Sequence, residues 1–190
     1  MADKEHRARG YPVHMHGIGG LLSRVEANFL YDTPARIGEG FYGDLGTFHG
    51  RSSACMAGGM LDNTVKAHII TVDSYDGRGI KGRFRKCLRT PESTRNNLKE
   101  KGLDSYVTIV KGVTAEVAKD FQDKEFVFIF IDADHSYKGC KADFEAWSSL
   151  VKSGGEVAFH DANKETVNRV VNESGWKRYD IETIAVIVKP

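Results

Sequence analysis

The sequence predicts a layered α/β sandwich of three layers. A mostly parallel, seven-stranded sheet forms the middle layer, with an antiparallel strand at its C-terminal end. Three observations carry this reading. Apolar, β-branched runs of strand length alternate several times with segments of helical character, the pattern of right-handed βαβ units. The run Phe126–Ile131 is apolar at every position, which suits a strand buried on both faces in the middle of a parallel sheet. The last two runs are separated only by Glu182 and Thr183, so they form an antiparallel hairpin at one edge.

Taken in order, residues 1–36 precede the first strand. Within them Ile18, Leu21, Leu22, Val25, Phe29 and Leu30 recur at helical spacing. That predicts an amphipathic helix covering the sheet or the ligand site. Residues 37–190 make up the sheet domain, with strands expected at 41–45, 68–72, 106–110, 126–131, 156–159, 176–181 and 184–188. Pro91 opens a helix that has Thr90 as its N-cap and Gly102 as its stop. A later helix carries Tyr137, Cys140, Phe144, Trp147 and Val151 on one face. It is expected to end at Lys152-Ser153-Gly154-Gly155, a basic last turn followed by a glycine stop. Asp143 and Glu145 read as its solvated side.

The chain has 190 residues, 41% hydrophobic and 28% charged, which fits a globular domain and excludes global disorder. Its longest apolar run falls far short of the ~20 residues needed to span a bilayer. The stretch MADKEHRARGYP lacks the apolar core of a signal peptide, so a cytoplasmic location is expected. Cys55, Cys87 and Cys140 have neither disulfide nor zinc spacing and read as small buried hydrophobes. With 27 Lys+Arg against 26 Asp+Glu, the net charge of +1 argues for neither a membrane nor a nucleic-acid partner. That total hides a segregation. Arg78, Lys81, Arg83, Arg85, Lys86 and Arg89 crowd one glycine-containing loop, which suits an anionic small molecule. His14-Met15-His16 would line the entrance. Residues 1–36 and the hairpin at 176–188 are the surfaces expected to pair in a homo-oligomer.

The glycine-rich turn Gly43-Asp44-Leu45-Gly46-Thr47-Phe48-His49-Gly50-Arg51-Ser52-Ser53 runs from the first strand into a helix. Ligands of open α/β sheets bind at the carboxyl ends of the strands. Gly46 can turn sharply without a Cβ, and Gly50 would let a ligand approach the helix start. The spacing fits neither G-x-G-x-x-G nor a P-loop, which needs four residues between the glycines and then Lys. An adenosine-type ligand is the remaining reading, with Asp44 facing it. Asp73, at the end of the second strand, can accept both hydroxyls of a ribose.

Asp44-Leu-Gly-Thr-Phe-His-Gly-Arg-Ser resembles motif I of class I S-adenosylmethionine-dependent methyltransferases. The run FIFIDADHSYKGCKADFEAW and the later LVKSGGEVAFHDAN are similar to the subfamily of macrocin-type O-methyltransferases, the methyltransferase family 24 group. The resemblance implies a Rossmann-like sandwich, S-adenosylmethionine as cofactor and O-methylation of a small hydroxylated acceptor. It implies a cofactor-binding set of Asp44, Gly46, Thr47, Gly50, Ser52, Asp73 and Asp132. Relatives often carry an acidic residue near the adenine after the third strand; this chain has Gly112-Val113-Thr114.

Asp132, Asp134 and His135 follow the fourth strand, and His160 and Asp161 follow the fifth. Neighbouring parallel strands lie about 5 Å apart, so these tips converge. Carboxylates that close repel one another, and a divalent cation, Mg²⁺ or Mn²⁺, is the simplest remedy. An imidazole ligand would tilt the choice towards Mn²⁺, Fe²⁺ or Zn²⁺. The metal-dependent branch of the family implies Asp132 and Asp161 as metal ligands. It places His160 where relatives carry a further acidic ligand, and Asp134 or His135 as general base. Two alternatives stand beside this one. Asp132-Ala-Asp134 is also the D-x-D pattern of metal-dependent glycosyltransferases, and a non-catalytic adenosine-binding module would keep the same pocket.

Overall fold

The computed structural model describes residues 10–77 and 89–190. The basic loop apart from Arg89, and Cys87, lie outside the described residues. The strands are β1 (Gly40–Leu45), β2 (Ala67–Asp73), β3 (Val107–Lys111), β4 (Phe126–Ile131), β5 (Val151–Phe159), β6 (Lys177–Ile181) and β7 (Ile184–Val188). They form one sheet in the order β3-β2-β1-β4-β5-β7-β6. The first five pair in parallel, and β7 is antiparallel to both β5 and β6. The predicted fold class holds. The hairpin adds one refinement, because β7 is inserted beside β5 and leaves β6 as the edge.

Helices α1 (Arg24–Ile37), α2 (Arg51–Asp62) and α3 (Pro91–Lys99) pack on one face of the sheet. The single turn α4 (Thr114–Val117), α5 (Tyr137–Ser148) and α6 (Glu165–Glu173) cover the other. The uniformly apolar β4 serves both layers. Phe128 and Phe130 join the core under α1 and α2, while Ile129 and Ile131 join the one under α5 and α6. Cys55 and Cys140 are buried as expected. Thr90 caps α3 through a reciprocal capping box with Ser93. No described helix is long and apolar enough to cross a membrane.

Three local expectations are corrected. The N-terminal helix begins only after Ser23, whose hydroxyl and Glu26 form a capping box. Ile18, Leu21 and Leu22 therefore precede it, and Leu21 is exposed. The helix expected to reach Val151 ends at Ser148, and Lys152-Ser153-Gly154-Gly155 belongs to β5. Gly154 and Gly155 exchange backbone hydrogen bonds with Lys189, beside a register shift in the β4–β5 pairing. The cation at the helix end is Lys189, whose Nζ donates to the Ser148, Ser149 and Val151 carbonyls. Asp143, expected on the solvated side, is 2% exposed and accepts from Thr114 Oγ1, while Glu145 is exposed as predicted.

Candidate functional site

The site lies at the carboxyl ends of β1, β2, β4 and β5. Gly46 leaves β1 with φ +99°, a conformation that favours glycine. A Cβ there would fall 2.2 Å from the carbonyl oxygen of Asp132. The turn after β1 is thus pressed against the residue that follows β4. Gly50 also has positive φ, and a Cβ on it would meet Thr94 and Leu98 of α3. Its smallness lets the turn pack closely on that helix.

Asp44, expected to face the ligand, has no exposed surface. Its carboxylate accepts from Ser52 Oγ, from Ser53 Oγ and, at 3.3 Å, from Thr71 Oγ1. Burial pushes its pKa up to about 6, against the pull of those hydroxyls. Thr47 is buried too, its hydroxyl 2.5 Å from that of Thr71. Asp44, Thr47 and Ser52 therefore brace the turn from beneath. Asp73 is different. It is half-buried, and its two oxygens accept from the backbone N–H groups of Phe48 (2.9 Å) and Tyr75 (2.7 Å). Both donors sit in left-handed backbone, at φ 51° and 54°. The carboxylate is held in one orientation with its remaining lone pairs outward.

Across the crevice, the backbone continues the ladder beyond the strands. Asp132 N donates to Leu45 O (2.7 Å), and His160 N donates to Ile131 O (3.0 Å), so the two side chains emerge together. His160 Nδ1 lies 3.0 Å from Asp132 Oδ1 and 3.8 Å from Asp161 Oδ2. His135 Nε2 lies 3.2 Å from Asp132 Oδ1 and 3.1 Å from Asp161 Oδ2. Asp161 reaches the cluster from a residue with φ 56°, a left-handed turn that aspartate tolerates better than most residues. Ligand atoms of Asp132, His135, His160 and Asp161 all lie within 4.8 Å of one another.

The electrostatics follow from the pairing. Burial alone would raise Asp132, but the imidazoles of His160 and His135 bring it down to about 2. Burial would lower His160, yet Asp132 and Glu26 raise it to about 10. Despite its two close carboxylates, His135 Nε2 makes no aligned hydrogen bond with either and is shielded from solvent. The convergence of the Asp132 and Asp161 oxygens with His160 Nδ1 fits a cation there, with His135 Nε2 left beside it. Two carboxylates and the His160 imidazole are donors for Mn²⁺, Fe²⁺ or Zn²⁺ more than for Mg²⁺.

Asp134 does not join this group. It is exposed, its Oδ1 accepts from Ser136 N (2.8 Å), and it packs against Gly139 at the start of α5. Of the two predicted bases, only His135 faces the cluster. Sequence reasoning missed Glu26 and Lys164. Lys164 Nζ lies 2.5 Å from Asp161 Oδ2. Glu26, 2% exposed, receives the Thr183 hydroxyl and lies 3.3 Å from His160 Nε2. Burial would raise the Glu26 carboxyl, but the hydrogen bond and charge of His160 hold it below the usual range. Its only sequence signal was the capping box Ser23-x-x-Glu26, which reports a helix start and nothing of a partner 134 positions away.

The family described as a methyltransferase domain matches residues 44–162, from the tip of β1 to just past Asp161. The chain belongs to this methyltransferase-domain family. Solved methyltransferases share its architecture. The O-methyltransferase NovP superposes with a TM-score of 0.67 at 17% identity, covering 86% of this chain and 77% of NovP. An O-methyltransferase from Bacillus cereus in complex with SAH gives 0.66 at 16% identity, covering 99% and 89%. TomG of Streptomyces achromogenes, an O-methyltransferase in tomaymycin synthesis solved with SAM, gives 0.66 at 16%, covering 100% and 88%. No curated protein matches the sequence. For this methyltransferase domain the matched span includes the glycine-rich turn and all four residues of the cation-type cluster.

Proposed function

We propose that this methyltransferase domain transfers the methyl group of S-adenosylmethionine to the oxygen of a small hydroxylated acceptor, with a divalent cation held at the acceptor side. The observation that carries the reading is spatial. Gly46 presses the cofactor-type turn directly onto Asp132, so a donor seated over the turn and an acceptor at the cluster would be neighbours. S-adenosylmethionine supplies a methyl group that is already electrophilic, so the protein's task is to orient a deprotonated oxygen in line with it. Asp73, fixed by the Phe48 and Tyr75 amides, would accept the two ribose hydroxyls. Gly46 keeps the turn free of side chain, while Asp44, Thr47 and Ser52 hold its shape from below. Asp132, His160 and Asp161 would hold the cation, whose charge eases loss of the acceptor's proton. His135 would receive that proton at Nε2, which lies beside both carboxylates without an aligned hydrogen bond.

Calorimetry with S-adenosylhomocysteine tests the reading. A one-to-one isotherm, with no heat from UDP-sugars, supports it. UDP-sugar binding with silence towards S-adenosylhomocysteine would point to the D-x-D alternative and overturn it. Transfer of labelled methyl to a panel of catechols, sugars and hydroxy acids then identifies the acceptor class. The anionic members examine the role of the basic loop.

A further inference from the structure

Glu26 lies on α1, outside the matched methyltransferase span, and is the only described side chain on that helix within hydrogen-bond reach of the cluster. Its three contacts all come from donors or from a nitrogen able to donate. Ser23 N gives its hydrogen to Oε2 (2.8 Å), the Thr183 hydroxyl gives its own to Oε1, and His160 Nε2 lies 3.3 Å from Oε2. A carboxylate surrounded in this way can only accept, so Nε2 of His160 must carry a proton. The ring cannot swivel freely, because Phe130 packs beside it at 6.0 Å and the side chain is only 7% exposed. With Nε2 committed to Glu26, Nδ1 faces Asp132 and Asp161.

We propose that Glu26 is a positioning residue for the reaction: it holds His160 through Nε2–H and so presents Nδ1 to the Asp132–Asp161 centre. The inference deepens the proposed function and rests on it for its catalytic consequence. A buried carboxylate behind a ligating imidazole fixes the tautomer and the ring plane, and loss of such a partner costs roughly 10- to 100-fold in metal affinity or activity. Here the partner comes from the N-terminal helix, which ties that helix to the chemistry as well as to the core.

The test uses the full chain in three forms: wild type, Glu26→Ala and Ser23→Ala. Ser23→Ala removes the other half of the helix cap and leaves the His160 contact in place, so it controls for a purely structural role. In the metal-free proteins, nitrogen-15 spectra of the histidine rings should show a protonated, exchange-protected Nε2 on His160 in wild type and Ser23→Ala. Glu26→Ala should lose that protection. Mn²⁺ affinity and kcat should fall roughly 10-fold or more in Glu26→Ala, with KM for the cofactor unchanged. Glu26→Gln keeps the capping box and should fall between the two if Glu26→Ala proves hard to purify. An unchanged His160 ring signal in Glu26→Ala, or an equal loss of kcat in Ser23→Ala, overturns the proposal. Wild-type protein that binds no S-adenosylhomocysteine would instead count against the methyltransferase reading, while the ring spectra still decide what Glu26 does.

Discussion

Asp44 and Asp132 sit at the ends of two neighbouring parallel strands, and their environments could hardly differ more. Asp44 is sealed beneath the glycine-rich turn with hydroxyls as its partners, and burial lifts its pKa to about 6. Asp132, 28% exposed, meets two imidazoles that bring it down to about 2. Hydroxyls can satisfy a carboxylate's lone pairs but cannot balance its charge; a protonated imidazole such as His160 does both. One residue type therefore serves as a brace under the turn and as a charged arm of the cluster. Partner chemistry, rather than position along the strand, divides the two roles.

The harshest way to break this division is Gly46→Ala, because Gly46 is where the two regions touch. A Cβ 2.2 Å from the Asp132 carbonyl, on backbone with φ +99°, cannot be relieved by turning a side chain. We expect a loss of more than ~3 kcal/mol in urea unfolding, together with loss of S-adenosylhomocysteine and Mn²⁺ binding. Wild-type stability in this variant would show that the contact is not tight.

Asp44→Ala should act on stability first. Removing the acceptor leaves the hydroxyls of Ser52, Ser53 and Thr71 in a buried site, at a cost of about 3 kcal/mol by denaturant titration. Mn²⁺ affinity of the folded fraction should stay as in wild type. A variant that keeps its stability but loses Mn²⁺ would place Asp44 in the cluster and dissolve the contrast.

Asp143 sharpens the comparison as a second carboxylate of the Asp44 kind. Burial raises it to about 6, and one of its oxygens has no partner. Between pH ~4 and ~6 the folded state keeps protons on Asp44 and Asp143 that the unfolded chain has released. Stability contributed by these groups therefore falls as pH rises through that window. Asp132 acts in the opposite sense: its contribution is present above pH ~4 and is lost as pH falls towards 2. Asp143→Asn should remove about half of the fall, on the order of 2 kcal/mol, when unfolding free energies are measured from pH 4 to 7. An unchanged slope would mean that Asp143 is not protonated in this range.

Asp132→Asn should be the mildest for the fold. The amide keeps an acceptor for His160, so stability should change by about 1 kcal/mol. S-adenosylhomocysteine should still bind, while Mn²⁺ affinity drops at least ~10-fold in calorimetry. Equal loss of both ligands would show that turn and cluster are one unit.

The architecture was legible because its signals are local. Phe126–Ile131 could be read as a two-faced strand from its own residues, and Thr90-Pro91 as a helix start. The helix after β4 was misjudged for an equally physical reason. Lys152-Ser153-Gly154-Gly155 has the composition of a helix stop, but pairing with Lys189 draws it into the sheet. Asp143 looked like one of several charges on a helix surface, and only Thr114 from another layer shows why it is buried. Asp73, Asp132, His160 and Asp161 were singled out because each ends or follows a strand. Glu26 was not, since a helix cap and a histidine clamp look identical in one dimension.

By itself the sequence determined the strand order of events along the chain, the two-sided burial of β4, the glycine at the sharp turn and the family to which the chain belongs. These depend on short-range periodicity and on residue types that few backbone conformations accept. Tertiary structure alone decided which acids became braces and which joined the histidine cluster. That choice depends on what faces each carboxylate from elements tens of residues away, which no local pattern encodes.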